Sequence, residues 1–185
     1  MIRIDESQMA RAKLVLDGIP KGIEKAASRA LNRAIESGMV EAARKSREQY
    51  FVSAADVRAS IRINRATESK LIASAISRGT KRELSQFRVS PLRVGKPLPK
   101  MLRVAVKKDG GLKDLPGAFL ARGKSSGKLH VLARVEKTRY PIHVKYGPSV
   151  PEMIGVEKIK PYVEAKARDV LQVRLDHEIS RLLKG

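Results

Sequence analysis

The chain is 185 residues long, and its 39 Lys and Arg against 19 Asp and Glu leave a net charge of +20. It has no cysteine, which excludes disulfides and thiolate metal sites, and so large a charge favours anionic partners while its self-repulsion opposes compaction. Aromatic residues are 4% of the total and Trp is missing, so the core has to be built from Ala, Val, Ile and Leu, and neighbouring subunits are expected to supply part of the stability.

The first third reads as helix. From Pro20 onward Ile23, Ala27, Ala30, Leu31, Ala34, Ile35, Met39, Ala42 and Ala43 recur at steps of three and four, an Ala-rich stripe on one side of an α-helix. Gly18 and Pro20 supply the break before it, with Pro20 near the first turn. A short helix follows from Ser53, an N-cap ahead of AADVRASI. In the middle the period shortens. Leu71–Ile76, Leu102–Val106, Lys128–Glu136 and Tyr140–Lys145 read as strands, and the segments SPLRVGKPLPK and KKDGGLKDLPG between them read as loops. No helix-length pattern separates the strands, so a mostly antiparallel sheet with long excursions is expected rather than βαβ units.

The last third returns to helix. Val163, Ala167, Val170, Leu171, Ile179 and Leu182 form its main stripe, and Pro161 suits the N1 position. Val173 and Leu175 fall off that stripe and are expected to meet another subunit. The fold class is α+β: a long N-terminal helix, a central mostly antiparallel sheet with long basic loops, and a C-terminal helix. One domain over residues 1–185 is expected, helical over 1–62, sheet and loops over 63–150, and the C-terminal helix over 151–185.

Charge follows the middle of the chain. Residues 78–145 hold 18 Lys and Arg against 4 Asp and Glu, a net of +14; the rest holds 21 against 15, a net of +6. The segment GAFLARGKSSGK invites comparison with a phosphate-binding loop, which needs four residues between its first Gly and Gly-Lys-Ser. Here five separate Gly117 from Gly123, and a flexible basic loop is the better reading. His130, His143 and His177 lie far apart with no ligand spacing between them, so packing or surface hydrogen bonding is expected of them. No Ser stands in a nucleophile elbow. The sheet region offers only Glu83, Asp109, Asp114 and Glu136 as carboxylates. Neither an enzyme nor a cofactor is expected. Zinc-finger spacing and an aromatic base-stacking segment are also missing, so any contact with DNA would run through phosphates without reading sequence. No stretch approaches the about 18 apolar residues of a membrane helix. The opening MIRIDESQMARAK lacks the apolar run of a signal peptide, so maturation in the cytoplasm is expected.

Three segments carry a resemblance. SRALNRAIESG (Ser28 to Gly38), FVSAADVRASIRINRATESKLIASAIS, and RVEKTRYPIHVKYGPSVPEM (Arg134 to Met153) occur in that order and cover much of the chain. Together they resemble the phage minor tail protein Z family, the lambda-type tail-completion proteins. The resemblance implies a late-assembly structural subunit at the head-proximal end of the tail, a virion protein assembled in the bacterial host cytoplasm and needed for tail assembly, head–tail joining and DNA passage. It implies a ring with the tail's symmetry, a hexamer. The ring's neighbours would be the tail terminator, tail tube or head–tail connector, with phage DNA in the lumen. No catalytic residue carries over. The alternative is a free, sequence-nonspecific basic DNA-binding protein.

Two sites stand out. Arg88, Arg93, Lys96, Lys100, Arg103, Lys107 and Lys108 fall within 21 residues that hold no Asp or Glu. Pro91, Gly95, Pro97 and Pro99 interrupt that stretch, so seven like charges are expected to project from an extended loop that orders against an anionic partner. DNA phosphates or an acidic face of the adjacent tail ring could supply the counter-charge. The protein face is favoured, because a lumen that gripped phosphates would hinder DNA exit. The second site is the turn Gly147-Pro148-Ser149-Val150-Pro151, where two prolines fix φ and Gly147 permits a conformation that other residues resist. This turn is either a docking loop for a neighbouring ring or a rigid connector to the C-terminal helix.

Overall fold

The computed structural model describes residues 21–95, 101–124, 126–136 and 138–184, together with Ala10 and Ile19. In chain order the elements are α1 (Gly22–Gln49), α2 (Ala54–Ala59), β1 (Ile61–Asn64), β2 (Ser74–Ser77), a 3-10 turn (Leu84–Gln86), β3 (Arg88–Ser90), β4 (Leu102–Ala105) and β5 (Lys113–Leu115). Then follow β6 (Ala118–Arg122), β7 (Leu129–Arg134), β8 (Ile142–Val144), α3 (Val150–Gly155) and α4 (Lys160–Leu183). The expected break at Gly18 and Pro20 lies outside the described residues. Glu24 in the first turn of α1 and Arg47 in its last both suit the helix dipole.

Small residues four apart decide how α1 packs. Ala26, Ala30, Ala34, Gly38, Ala42 and Ser46 are all buried. Steps of four advance about 40° beyond a full turn each, so the ridge winds slowly round the helix. Its early part meets α4, where Ala26, Ala30, Leu31, Ala34 and Ile35 form one core with Leu171, Leu175 and Ile179. The two helices run antiparallel. Arg29 lies 3.6 Å from Glu178, Gly38 faces Ala167 and Val163, and the Lys45 ammonium sits 4.7 Å from the centre of the Tyr162 ring.

Leu175 corrects an expectation. It is 4% exposed and belongs to this core, whereas Val173 is 67% exposed. The buried face of α4 runs Ala167, Leu171, Leu175, Ile179 in steps of four, so it drifts away from the stripe set by Val163 and Val170.

Among the described residues the strands form three small antiparallel sheets rather than one: β1–β2, β3–β4–β5 and β6–β7–β8. Three segments read as loops contain strands, namely β3, β5 and β6, and β1 (Ile61–Asn64) begins in the last two residues of the segment expected to be helical. Beneath the two larger sheets Leu102, Val104, Leu120, Val131 and Phe87 pack with Met153 and Ile159 in a second core. The amide of Asn32 on α1 clasps the chain after β1, donating to the Ala66 carbonyl at 2.9 Å and accepting from its N–H at 2.8 Å. Among the described residues, twelve of the 28 buried hydrophobic side chains are alanine, so the core is lean.

Candidate interaction surfaces

The acid-free basic stretch folds as a hairpin and not as one loop. Arg88 lies on β3 and Arg103 on β4; Lys107 and Lys108 follow β4; Arg93 lies in the connection, and Lys96 and Lys100 lie outside the described residues. Cross-strand partners share a face of a sheet. Arg88 opposite Ala105 and Arg103 opposite Ser90 therefore stand on the same side, with Asp114 opposite Arg103 on β5.

The base of this hairpin is tied to the end of α1. The chain leaves that helix extended, and Phe51 N–H donates to the Val106 carbonyl at 3.0 Å. Lys108 N–H donates to the Gln49 carbonyl at 2.8 Å, and Tyr50 bridges Lys107. This pairing gathers cations round two aromatic rings. The Arg88 guanidinium is 5.7 Å and the Lys108 ammonium 5.8 Å from the centre of the Phe51 ring, and the Lys107 ammonium is 5.9 Å from that of Tyr50. Arg47 completes the rim of an open cleft of about 530 Å³, with Phe51, Phe87 and Val52 among its lining. Burial, then the charge of Asp109, push the Tyr50 hydroxyl above its usual pKa, so it stays a neutral part of the cleft's floor. Arg47 and Phe51 were not among the sequence candidates. The available signal was Tyr50-Phe51, the only adjacent aromatic pair in the chain.

The far end of the hairpin differs in character. Leu92 is 71% and Val94 41% exposed on either side of the exposed Arg93, and Met101, just before β4, is 40% exposed. The turn at 147–151 is mostly enclosed. Ser149 and Val150 are buried, and Ser149 caps α3 in a reciprocal box: its hydroxyl accepts from Glu152 N–H, and its own N–H donates to the Glu152 carboxylate at 2.7 Å. Those bonds, with Lys81 nearby, hold the Glu152 carboxyl below its usual pKa. Gly147 is required for space rather than for an unusual φ. A Cβ there would lie 2.9 Å from Phe87 Cε2 and 3.1 Å from Leu84 Cδ2.

Elsewhere a groove of about 660 Å³ runs between α1, α4 and the β1–β2 ribbon, floored by Ile35, Gly38, Met39 and Ala167. His130 Nδ1 lies 2.7 Å from Glu83 Oε2, joining β7 to the turn before β3. The segment GAFLARGKSSGK, expected to be a flexible loop, supplies strand β6 and the turn into β7. Among the described residues no group of three His, Asp or Glu is placed to hold a metal, and no helix is long and apolar enough to cross a membrane.

Among the described residues the surface thus carries cations without ion-pair partners and exposed apolar side chains near Arg93, over a lean core. The protein's family follows from comparison with known sequences: the chain belongs to the prophage minor tail protein Z family, whose model matches residues 9–184. It is therefore a structural minor tail protein of a tailed phage and a component of the virion. Comparison with curated proteins and with solved structures gives no match.

Proposed function

We propose that the chain is a tail-completion subunit that forms a ring, a hexamer matching the tail, at the head-proximal end, where it joins tail to head and lets DNA pass. The observation that carries this reading is the end of the β3–β4 hairpin. Leu92, Val94 and Met101, exposed just after β3 and just before β4, with Arg93 between the first two in sequence, are costly on a free protein and useful on a docked one. These apolar anchors and the cation match an apolar, acidic face on the tail terminator, tail tube or head–tail connector. The turn at 147–151, enclosed and capped, serves as the rigid connector to α3 and α4. Leu92→Ser with Arg93→Ser leaves the folded cores untouched and should leave tails that fail to join heads. Immuno-electron microscopy of wild-type virions should place the chain in the neck or upper tail. Its location at the distal tip, or its absence from virions, rejects the reading.

A further inference from the structure

We propose that the cleft beside Phe51 binds the phosphodiester backbone of duplex DNA, without reading its sequence, through Arg47, Arg88, Lys107 and Lys108. This inference rests on the tail reading only for the source of the DNA. Arg47, Arg88 and Lys108 line one open cleft, Lys107 lies against the Tyr50 ring of that lining, and none of the four forms an ion pair with a carboxylate among the described residues. Asp109, which follows Lys108, is the one acidic residue whose charge reaches Tyr50 in the cleft's floor, so the site stays net positive. Arg47 alone could be explained by the C-terminal dipole of α1. No such explanation covers the other three. They are also held in place: Arg88 by its pairing with Ala105, Lys107 and Lys108 by the backbone bonds to Gln49 and Phe51.

What the cleft lacks identifies its partner. The Phe51 and Lys108 N–H groups and the Gln49 and Val106 carbonyls are already bonded to one another, so no strand of another protein can add there. Arg88 and Lys108 lie over the Phe51 ring, so no base can stack on the face they cover. What the cleft presents to a partner, around the apolar floor of Phe51, Val52 and Phe87, is a rim of positive charge on an open surface. Duplex DNA, with its dense row of phosphates, is the polyanion that charge alone can hold. Such contacts are weak and salt-labile, which suits DNA that has to leave. The hairpin end, with its apolar side chains, is left to bind protein.

The test is fluorescence anisotropy with the purified chain and a mixed-sequence duplex of about 20 base pairs, between about 50 and 200 mM salt. Four phosphate contacts predict an affinity loss of about a hundredfold over that range. Arg88→Ser with Lys108→Ser should weaken binding about tenfold or more and lower the salt slope by about two. Arg44→Ser with Arg65→Ser removes the same charge from helix-side ion pairs and should change binding far less. Equal losses in the two variants overturn the proposal, as does wild-type chain that fails to bind the duplex. Displacement of the DNA by polyglutamate at matched charge concentration also overturns it, in favour of an acidic protein. None of these outcomes touches the tail reading, which is decided in virions.

Discussion

On the helix side, basic residues find carboxylates. Arg44 meets Glu41 and Glu48, each at 2.6 Å; Arg65 meets Glu36 at 2.6 Å, and Arg181 meets Glu178 at 2.9 Å. Over residues 78–145 the pattern reverses. Among the described residues Arg82, paired with Asp56 at 2.9 Å, is the one Lys or Arg of that stretch in an ion pair. Helical spacing brings residues three and four apart together, so a mixed-charge helix neutralises itself locally. A strand hairpin almost free of acids has no such recourse, and its charge is left for a partner. One half of the chain pairs its charges internally; the other leaves most of them without an ion pair among the described residues, which is what the proposed docking and DNA contacts draw on.

The sharpest way to break this division is through the helix core. Leu175→Ala should cost about 2–5 kcal/mol as a cavity between α1 and α4, and Leu175→Asp more, by burying an unpaired charge. The check is thermal melting of the isolated chain. A Leu175→Asp variant that melts like wild type and only fails to assemble would return Leu175 to the surface and dissolve the helix core as described. Second comes the connection between the halves. Gly147→Ala drives a methyl against Phe87 and Leu84 and should cost about 1–3 kcal/mol, part of it recovered in the double variant with Phe87→Leu. An unchanged melting temperature in the single variant would show that the close approach is not needed.

The helices were legible in the sequence because their stripes persist over 28 and 24 residues, long enough for the period to declare itself. Strands β3, β5 and β6, of three to five residues in Gly-, Pro- and Lys-rich surroundings, are too short to show alternation, so they read as loops. Leu175 was misplaced because a stripe drawn through Val163 and Val170 ignores the drift of four-residue steps. Gly147 was recognised as special for the wrong reason: a φ requirement shows in turn chemistry, whereas a ring pressed against a Cα does not. The acid-free stretch from Arg88 to Lys108 was plain. The cluster of cations and rings at its base was not, because that base is created by pairing with residues 49–51, far away in sequence.

Smaller effects sharpen the comparison. A Cβ on Gly38 would lie 3.5 Å from Ala167 Cβ, an ordinary contact, so Gly38→Ala should stabilise α1 by about 0.5–1 kcal/mol through helix propensity. A drop in melting temperature instead would mean that α1 and α4 lie closer than described. The acid response should be smaller still. Glu41, held mainly by its hydrogen bond from Arg44, and Glu152, held by Ser149, both keep their carboxyls below the usual 4.5 in the folded chain. Carboxyls depressed in this way contribute stability above the unfolded value and lose it as pH falls through the folded one. Melting temperature should therefore decline below about pH 4.5, and Glu41→Gln should remove part of that decline. A flat acid profile would deny these bonds any role.

The most direct measurement is a paired one, melting temperature and DNA salt slope on the same two variants. Arg44→Ser with Arg65→Ser should lower the melting temperature slightly, since solvent screens exposed pairs, and leave the salt slope nearly unchanged. Arg88→Ser with Lys108→Ser should leave the melting temperature unchanged or raise it, by relieving repulsion, and lower the slope by about two. If both variants shift both quantities alike, the helices and strands do not divide folding from binding, and the +20 charge acts as a whole.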